Sequence, residues 1–351
     1  MEEHVILAGT RESHLWDEML EEFRRLGGLA ENFCMRYGTR GRGLFALDPS
    51  KPVELYAPPN LLLPIEDIAF REGLFRVSPS ARMGHPEKIW LEHYMNEFSW
   101  GRGGSDETAA TLQGVRSLPM RVREKLARSF AMEYCVGELS ASLVQQHFLA
   151  SRVITRGGRS VVMPIIELVN HGQGPSYDTE EGVRVRGLFS DEILVNYSDR
   201  DAIGLFASWG IVEERPFTFS LPTVLQTAFG EMVVHQETEN GQSVEINLPN
   251  PVPIKLPTIA VENGRVRLSF LLLGMKGFPR LPKSIFRRAM REAKLPLDDE
   301  PFEKAQQFNR AVFLDLLKDL EAAEGGVARS LRSVCLIQLN GLNQCFGSRS
   351  I

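Results

Sequence analysis

Along residues 13 to 26, SHLWDEMLEEFRRL, the apolar side chains Leu15, Met19, Leu20, Phe23 and Leu26 recur at helical steps with charged residues between them. That period places them on one face of an amphipathic helix, with Ser13 available to cap it and Gly27 and Gly28 to stop it. The run NFCMRYGTRGRGLFALDPSKPVELYAPPNLLLP then breaks into short apolar stretches divided by Gly and Pro, the pattern of a small, strongly turned sheet. From about 64 to 150 a helical period returns, in EKIWLEHYMNEF and in MRVREKLARSFAMEYCVGELSASLVQQHFLASR. Strand character resumes in SVVMPIIELVN, GVRVRGL and EILVNYS, after which Ala202 to Trp209 has helical spacing ending at Gly210. A helical block is therefore expected to interrupt a β region.

Past residue 220 the pattern shifts again. LPNPVPIKLP carries four prolines and no period, so it reads as a connection, whereas TIAVENGRVRLSF sets Asn263 and Gly264 between two alternating runs and predicts a hairpin near 258–269. The last stretch is helical, with Phe308, Val312, Leu316 and Leu320 on one face and Leu331, Cys335, Leu339, Leu342 and Phe346 on another. No internal repeat or low-complexity segment occurs. The whole describes an α+β chain.

Composition narrows the classes. A length of 351 residues exceeds what one core usually holds, so two domains, or one with a large insertion, are expected. Apolar residues at 43% and charged residues at 24% describe an ordinary globular chain, and a net charge of -5 gives no reason to expect nucleic acid as a partner. MEEHVILAGT lacks the basic start and apolar core of a signal peptide, and no run approaches a membrane span, so no membrane association and a cytoplasmic location are expected. The four cysteines, Cys34, Cys135, Cys335 and Cys345, form no CxxC pair, and no metal site is expected. G-x-S-x-G, Walker and H-E-x-x-H motifs are absent.

Four stretches carry candidate chemistry. In MPIIELVNHG an apolar run, read as a buried strand, ends on Asn170 and His171; the pair is either a turn or a polar floor delivered to a pocket. In GTRGRGLFALDPSKP the glycines do not open a helix, which removes the dinucleotide reading. Gly41 and Gly43 then let the backbone approach a ligand or simply make a β turn, while Leu44, Phe45 and Ala46 re-enter the core. Tyr197 ends a strand, by default as a packing residue. Ser151 and Arg152 sit where a helix gives way to strand, Arg152 by default as a charge favoured by the helix dipole.

Their order is more telling than any one of them. GRGLFA at 41–46, SR at 151–152, PIIELVNHG at 164–172, DEILVNYS at 191–198 and SWGI at 208–211 resemble, in sequence order, the GRGLFA, SRxF, PxxDxxNHS, GEExxxxYG and YGF texts of the SET-domain methyltransferases. The resemblance is to the branch typified by the Rubisco large-subunit lysine methyltransferase, over residues from about 13 to 215. It implies a fold of small β-sheets with a pseudoknot, residues 1–220 as the catalytic domain with a helical insertion at about 64–150, and residues 221–351 as a mainly helical substrate-binding-like domain.

The function it implies is S-adenosyl-L-methionine-dependent N-methylation of a protein lysine. An in-line attack on the sulfonium methyl needs a neutral amine in a narrow channel, and neutralising a lysine at pH 7 costs roughly 4 to 5 kcal/mol, which a desolvating aromatic wall reduces. By the resemblance, Arg42, Gly43 and Leu44 give backbone contacts to the cofactor, Asn170 and His171 hold its amino group and adenine, and Arg152 pairs with its carboxylate. Ser151 and Glu167 line the lysine channel through their carbonyls, Trp209 supplies an aromatic wall, and Tyr197 orients the amine and methyl as the catalytic residue without acting as a strong base. Four departures stand out: Gly172 replaces the Ser or Cys after Asn-His, Trp209 replaces the Tyr of YGF, the connection from His171 to Glu192 is short, and the Asn often found shortly after the catalytic Tyr is not evident in SDRDAIGL. They leave open histidine methylation, known in the same branch, and a cofactor- or peptide-binding module with little turnover.

Overall fold

The computed structural model describes residues 11–236, 243–246, 252–262 and 264–343. By packing, the chain divides into two compact units, one formed by Met1–Ala110 with Ser140–Ser198 and the other by Thr111–Leu139 with Asp199–Ile351. The packing boundary follows Ser198 where the sequence suggested about 220. The residues 111–139 belong with the second unit because Val115, Leu118, Val122, Leu126 and Phe130 share a core with Phe286, Phe313 and Leu331.

The first unit is built of short strands around an aromatic core. Its leading helix, Arg11–Arg25, buries Trp16, Met19, Leu20 and Phe23, which the 3.6-residue period puts on one face. Phe23 stacks on Trp90 at 5.3 Å between centroids and Trp90 on Tyr94 at 5.5 Å, so an aromatic row runs inward from this helix. The glycine-rich text forms the antiparallel hairpin Phe33–Gly38 with Gly41–Ala46. A three-stranded sheet orders Leu29–Glu31, Val53–Ala57 and Val183–Gly187, and a second orders Leu63–Pro64, Arg159–Val162 and Val153–Arg156. Asn170–His171 pairs in parallel with Leu194–Val195.

Two expectations are corrected here. The helical block does not begin at 64: Ile68–Arg71 and Leu74–Val77 form a hairpin first, turning through Glu72 and Gly73 at φ of 52° and 78°, and helix starts at His85. Glu-Gly is a weaker turn signal than Asn-Gly, so the hairpin is hidden in an apolar stretch. The run before Asn170 is not a continuous strand either. The strand Arg159–Val162 ends before Met163 and Pro164, Ile165 takes φ 68° and ψ -52°, and one 3-10 turn, Ile166–Leu168, precedes Asn170. Its apolar residues are buried in both geometries, so periodicity could not separate them.

In the second unit a four-stranded sheet orders Thr223–Thr227, Gly230–His235, Arg265–Ser269 and Ile259–Glu262. Its last two strands form an antiparallel hairpin, and Asn263 at its turn lies outside the described residues. Val252–Lys255, in the proline-rich stretch read as a connection, is a strand paired with Ser243–Ile246. The β content between 217 and 275 thus exceeds the one hairpin expected, and helices Leu281–Glu292, Glu300–Leu320 and Gly326–Asn343 follow it. Phe346 of the expected second helical face lies outside the described residues. No described helix is long and apolar enough to cross a membrane.

Candidate active site

The Asn-His pair is fixed from below by its own turn. A β-branched residue at positive φ is strained by about 1–3 kcal/mol, and Ile165 is held there by complete burial. The tight turn it opens directs Glu167 into the core and brings Val169 to Tyr197, whose hydroxyl donates to the Val169 carbonyl at 2.6 Å. Two residues on, the backbone N–H of Tyr197 donates to His171 Nδ1 at 3.2 Å, and the two rings lie 5.1 Å apart. Tyr197 is thereby bound on both sides of Asn170.

Asn170 ties this pair to the glycine-rich hairpin. Its Nδ2 donates to the Arg42 carbonyl at 3.1 Å and to Glu192 Oε1 at 2.8 Å, using both amide hydrogens and leaving Oδ1 as the acceptor end. Gly43 is needed for that approach: a Cβ there would lie 2.5 Å from Asn170 Nδ2 and 3.1 Å from Glu192 Oε1. The close contact expected between Gly43 and a ligand is, on this face, a contact with the Asn170 amide. Leu44 is fully buried and its carbonyl accepts from Ile193 N at 2.8 Å, while Arg42 is almost buried with Nη2 3.4 Å from the Ser99 carbonyl. Glu192 also pairs with Arg40 at 2.8 Å.

Arg152 and Ser151 stand at the junction between the helix Ala141–Ala150 and the strand Val153–Arg156. The Arg152 guanidinium lies over the Phe148 ring at 4.3 Å, donates through Nη1 to Ser151 Oγ at 3.0 Å, and forms an ion pair with Glu167 through Nε at 3.1 Å. Among the described residues its Nη2 makes no hydrogen bond, and the side chain keeps 19% exposure. Glu167 is buried and accepts from the Tyr94 hydroxyl at 2.7 Å, the inner end of the aromatic row. Glu167 was expected to act through its carbonyl; its carboxylate also holds Arg152.

The electrostatics join these groups. Burial pushes the Tyr197 phenol well up, Arg152 pulls it down, and Glu167 and Glu192 push it up further, so the charged groups act on one hydroxyl that stays protonated. Tyr177 stacks on Tyr197 at 6.3 Å and is pushed up by burial, then by Tyr197 and Glu167. Burial and then Arg152 push the His147 imidazole down, keeping it neutral beside the guanidinium. Among the described residues no group of three or more His, Cys, Asp or Glu is placed to hold a metal ion.

The first unit thus contains Arg42, Gly43, Leu44, Ser151, Arg152, Glu167, Asn170, His171 and Tyr197, and Trp209 lies in the second, at the end of the helix Ala202–Trp209. Sequence reasoning missed Glu192, Tyr94 and Tyr177. A buried tyrosine must satisfy its hydroxyl, so Tyr94, on the apolar face of IWLEHYMNEF, was the one with a readable signal. The departure at Gly172 has a local cause, since a Cβ there would lie 2.8 Å from Leu194 Cδ1 and 3.0 Å from its Cβ.

No family model matches the chain, and no curated protein matches it. Among solved structures, the chain is similar to the SET domain of LSMT bound to lysine and AdoHcy, at 14% identity, covering 96% of this chain and 91% of that one with a TM-score of 0.46.

Proposed function

We propose that this chain is an S-adenosylmethionine-dependent methyltransferase of the SET type that methylates a lysine side chain of a protein. The observation that carries the reading is the linkage of four distant texts: the carbonyl of Arg42 in the G-R-G turn, the Asn170 amide, the Tyr197 phenol and the Arg152 guanidinium. They are joined by direct hydrogen bonds or act on the same phenol. The Nη2 of Arg152, which makes no hydrogen bond among the described residues, suits a carboxylate, and the acceptor Oδ1 of Asn170 suits an ammonium, the two ends of the amino acid in that cofactor. When bound, the cofactor supplies a sulfonium methyl as electrophile. The chain's part is positioning: Tyr197 is held at its hydroxyl and its backbone and stays neutral, so it orients by hydrogen bonding rather than by taking a proton. Tyr177 and Tyr197, stacked and half-buried, supply apolar faces whose desolvation favours an amine in its uncharged state.

The test is incubation of the protein with methyl-labelled S-adenosylmethionine and a cell lysate, followed by hydrolysis and amino-acid analysis. Label in methyl-lysine is the expected result. Label in methyl-histidine would replace lysine by an imidazole acceptor, and no label from protein that binds the cofactor would contradict the methyltransferase reading.

A further inference from the structure

We infer that the His171 imidazole is a positioning residue for Tyr197, acting as the lone-pair acceptor that continues the two-residue parallel strand pair up to the reactive phenol. The inference rests on the methyltransferase reading and adds to it a side-chain role for His171. Backbone pairing ends early here: the register joins only Asn170 with Leu194 and His171 with Val195. The ladder closes with Gly172 N donating to the Val195 carbonyl at 3.0 Å, and Asn196 N turns away to the Pro175 carbonyl at 3.0 Å. Tyr197 N instead donates to His171 Nδ1 at 3.2 Å, where an imidazole nitrogen takes the place of a strand carbonyl.

This contact dictates the chemistry of the ring. A backbone nitrogen is only a donor, so Nδ1 must carry a lone pair and any neutral-ring proton sits on Nε2. His171 is buried to 6% exposure and its ring packs against that of Tyr197, which limits its rotation. The Val169 carbonyl fixes the phenol oxygen and the imidazole fixes the same residue's backbone, so the residues on either side of Asn170 set both the direction and the height of the Tyr197 side chain. A phenol that must align an amine with a methyl loses rate steeply when displaced by an ångström.

The experiment compares His171→Asn with His171→Gln in the full-length protein. Both are polar and near the imidazole in size, but only the Asn amide oxygen falls where Nδ1 lies. Three quantities are measured: the dissociation constant for S-adenosylhomocysteine, the single-turnover rate of methyl transfer, and the melting temperature. The expected result is a single-turnover rate for His171→Gln lower than that for His171→Asn by on the order of tenfold or more, while the two variants match each other in cofactor affinity and melting temperature. Equal rates for the two variants, or rate losses matched by equal losses of cofactor affinity, would overturn the inference. If the parent protein itself neither binds the cofactor nor transfers a methyl, the methyltransferase reading fails instead, so the two failures are distinct.

Discussion

At the scale of single residues, Tyr197 and Arg152 make separable predictions. The Tyr197 hydroxyl donates to Val169 and is kept protonated by burial, so Tyr197→Phe should leave S-adenosylhomocysteine affinity within about twofold and lower methyl transfer by on the order of a hundredfold. Because the folded phenol is pushed above its ordinary 10.0, raising the pH from 7 to 9.5 would increase the neutral fraction of a lysine acceptor while Tyr197 keeps its proton. The transfer rate should therefore climb across that range with no falling limb. A rate that declined above pH 8 while the protein stayed folded would contradict a neutral Tyr197. Arg152 is coupled to a buried carboxylate. Removing it in Arg152→Ala leaves Glu167 unpaired and should destabilise the protein by about 3 kcal/mol, and the double variant Arg152→Ala/Glu167→Gln should recover part of that loss while both bind cofactor weakly. Equal denaturation midpoints for single and double variants would show that the ion pair is not energetically coupled.

At the scale of elements, the close packing of strand Leu194–Val195 on the chain after His171 explains why glycine stands at 172. Gly172→Ser introduces the hydroxyl found after Asn-His in the SET-domain texts the sequence resembles, but its Cβ would press on Leu194, so a loss of about 1–3 kcal/mol is expected in urea denaturation. An unchanged midpoint would mean that Leu194 gives way freely. The same region shows how far sequence reasoning reaches. The leading helix, the hairpin around the G-R-G turn, the helix-to-strand junction at Arg152 and the helix Ala202–Trp209 were legible, because their periods and turn residues are local. The 3-10 turn at Ile166–Leu168 was not, since Met163 to Val169 are apolar and buried whichever backbone they adopt and the strained φ of Ile165 is set by tertiary packing. The strand Val252–Lys255 was hidden by its own prolines.

At the scale of the whole molecule, burial of thiols sets an alkaline limit on stability. Burial pushes Cys135 and Cys335 from an ordinary 9.0 up to about 12, so both are bound to their protons more tightly folded than unfolded. Their contribution is fully present below about pH 9 and is lost as the pH rises toward 12. Denaturation midpoints should hold to pH 8 and fall between pH 9 and 11, less steeply in Cys335→Ala; an identical slope in that variant would remove the thiol from the cause. The division after Ser198 was likewise beyond sequence reasoning, because residues 111–139 join their unit through contacts with helices some 200 residues away, such as Lys125 with Asp315 and Asp319. Of the candidate site, sequence order singled out Arg42, Arg152, Asn170 and Tyr197, while the groups holding them, Glu192 for Asn170 and Glu167 for Arg152, became visible only through distances. Whether Arg152 and Asn170 cradle the amino-acid end of an adenosyl cofactor is read by calorimetric titration of the protein with S-adenosylhomocysteine and with 5′-methylthioadenosine, which lacks that end. Saturable one-to-one binding of the first, at least about tenfold tighter than the second, is predicted; no binding, or equal affinity for the two, would contradict it.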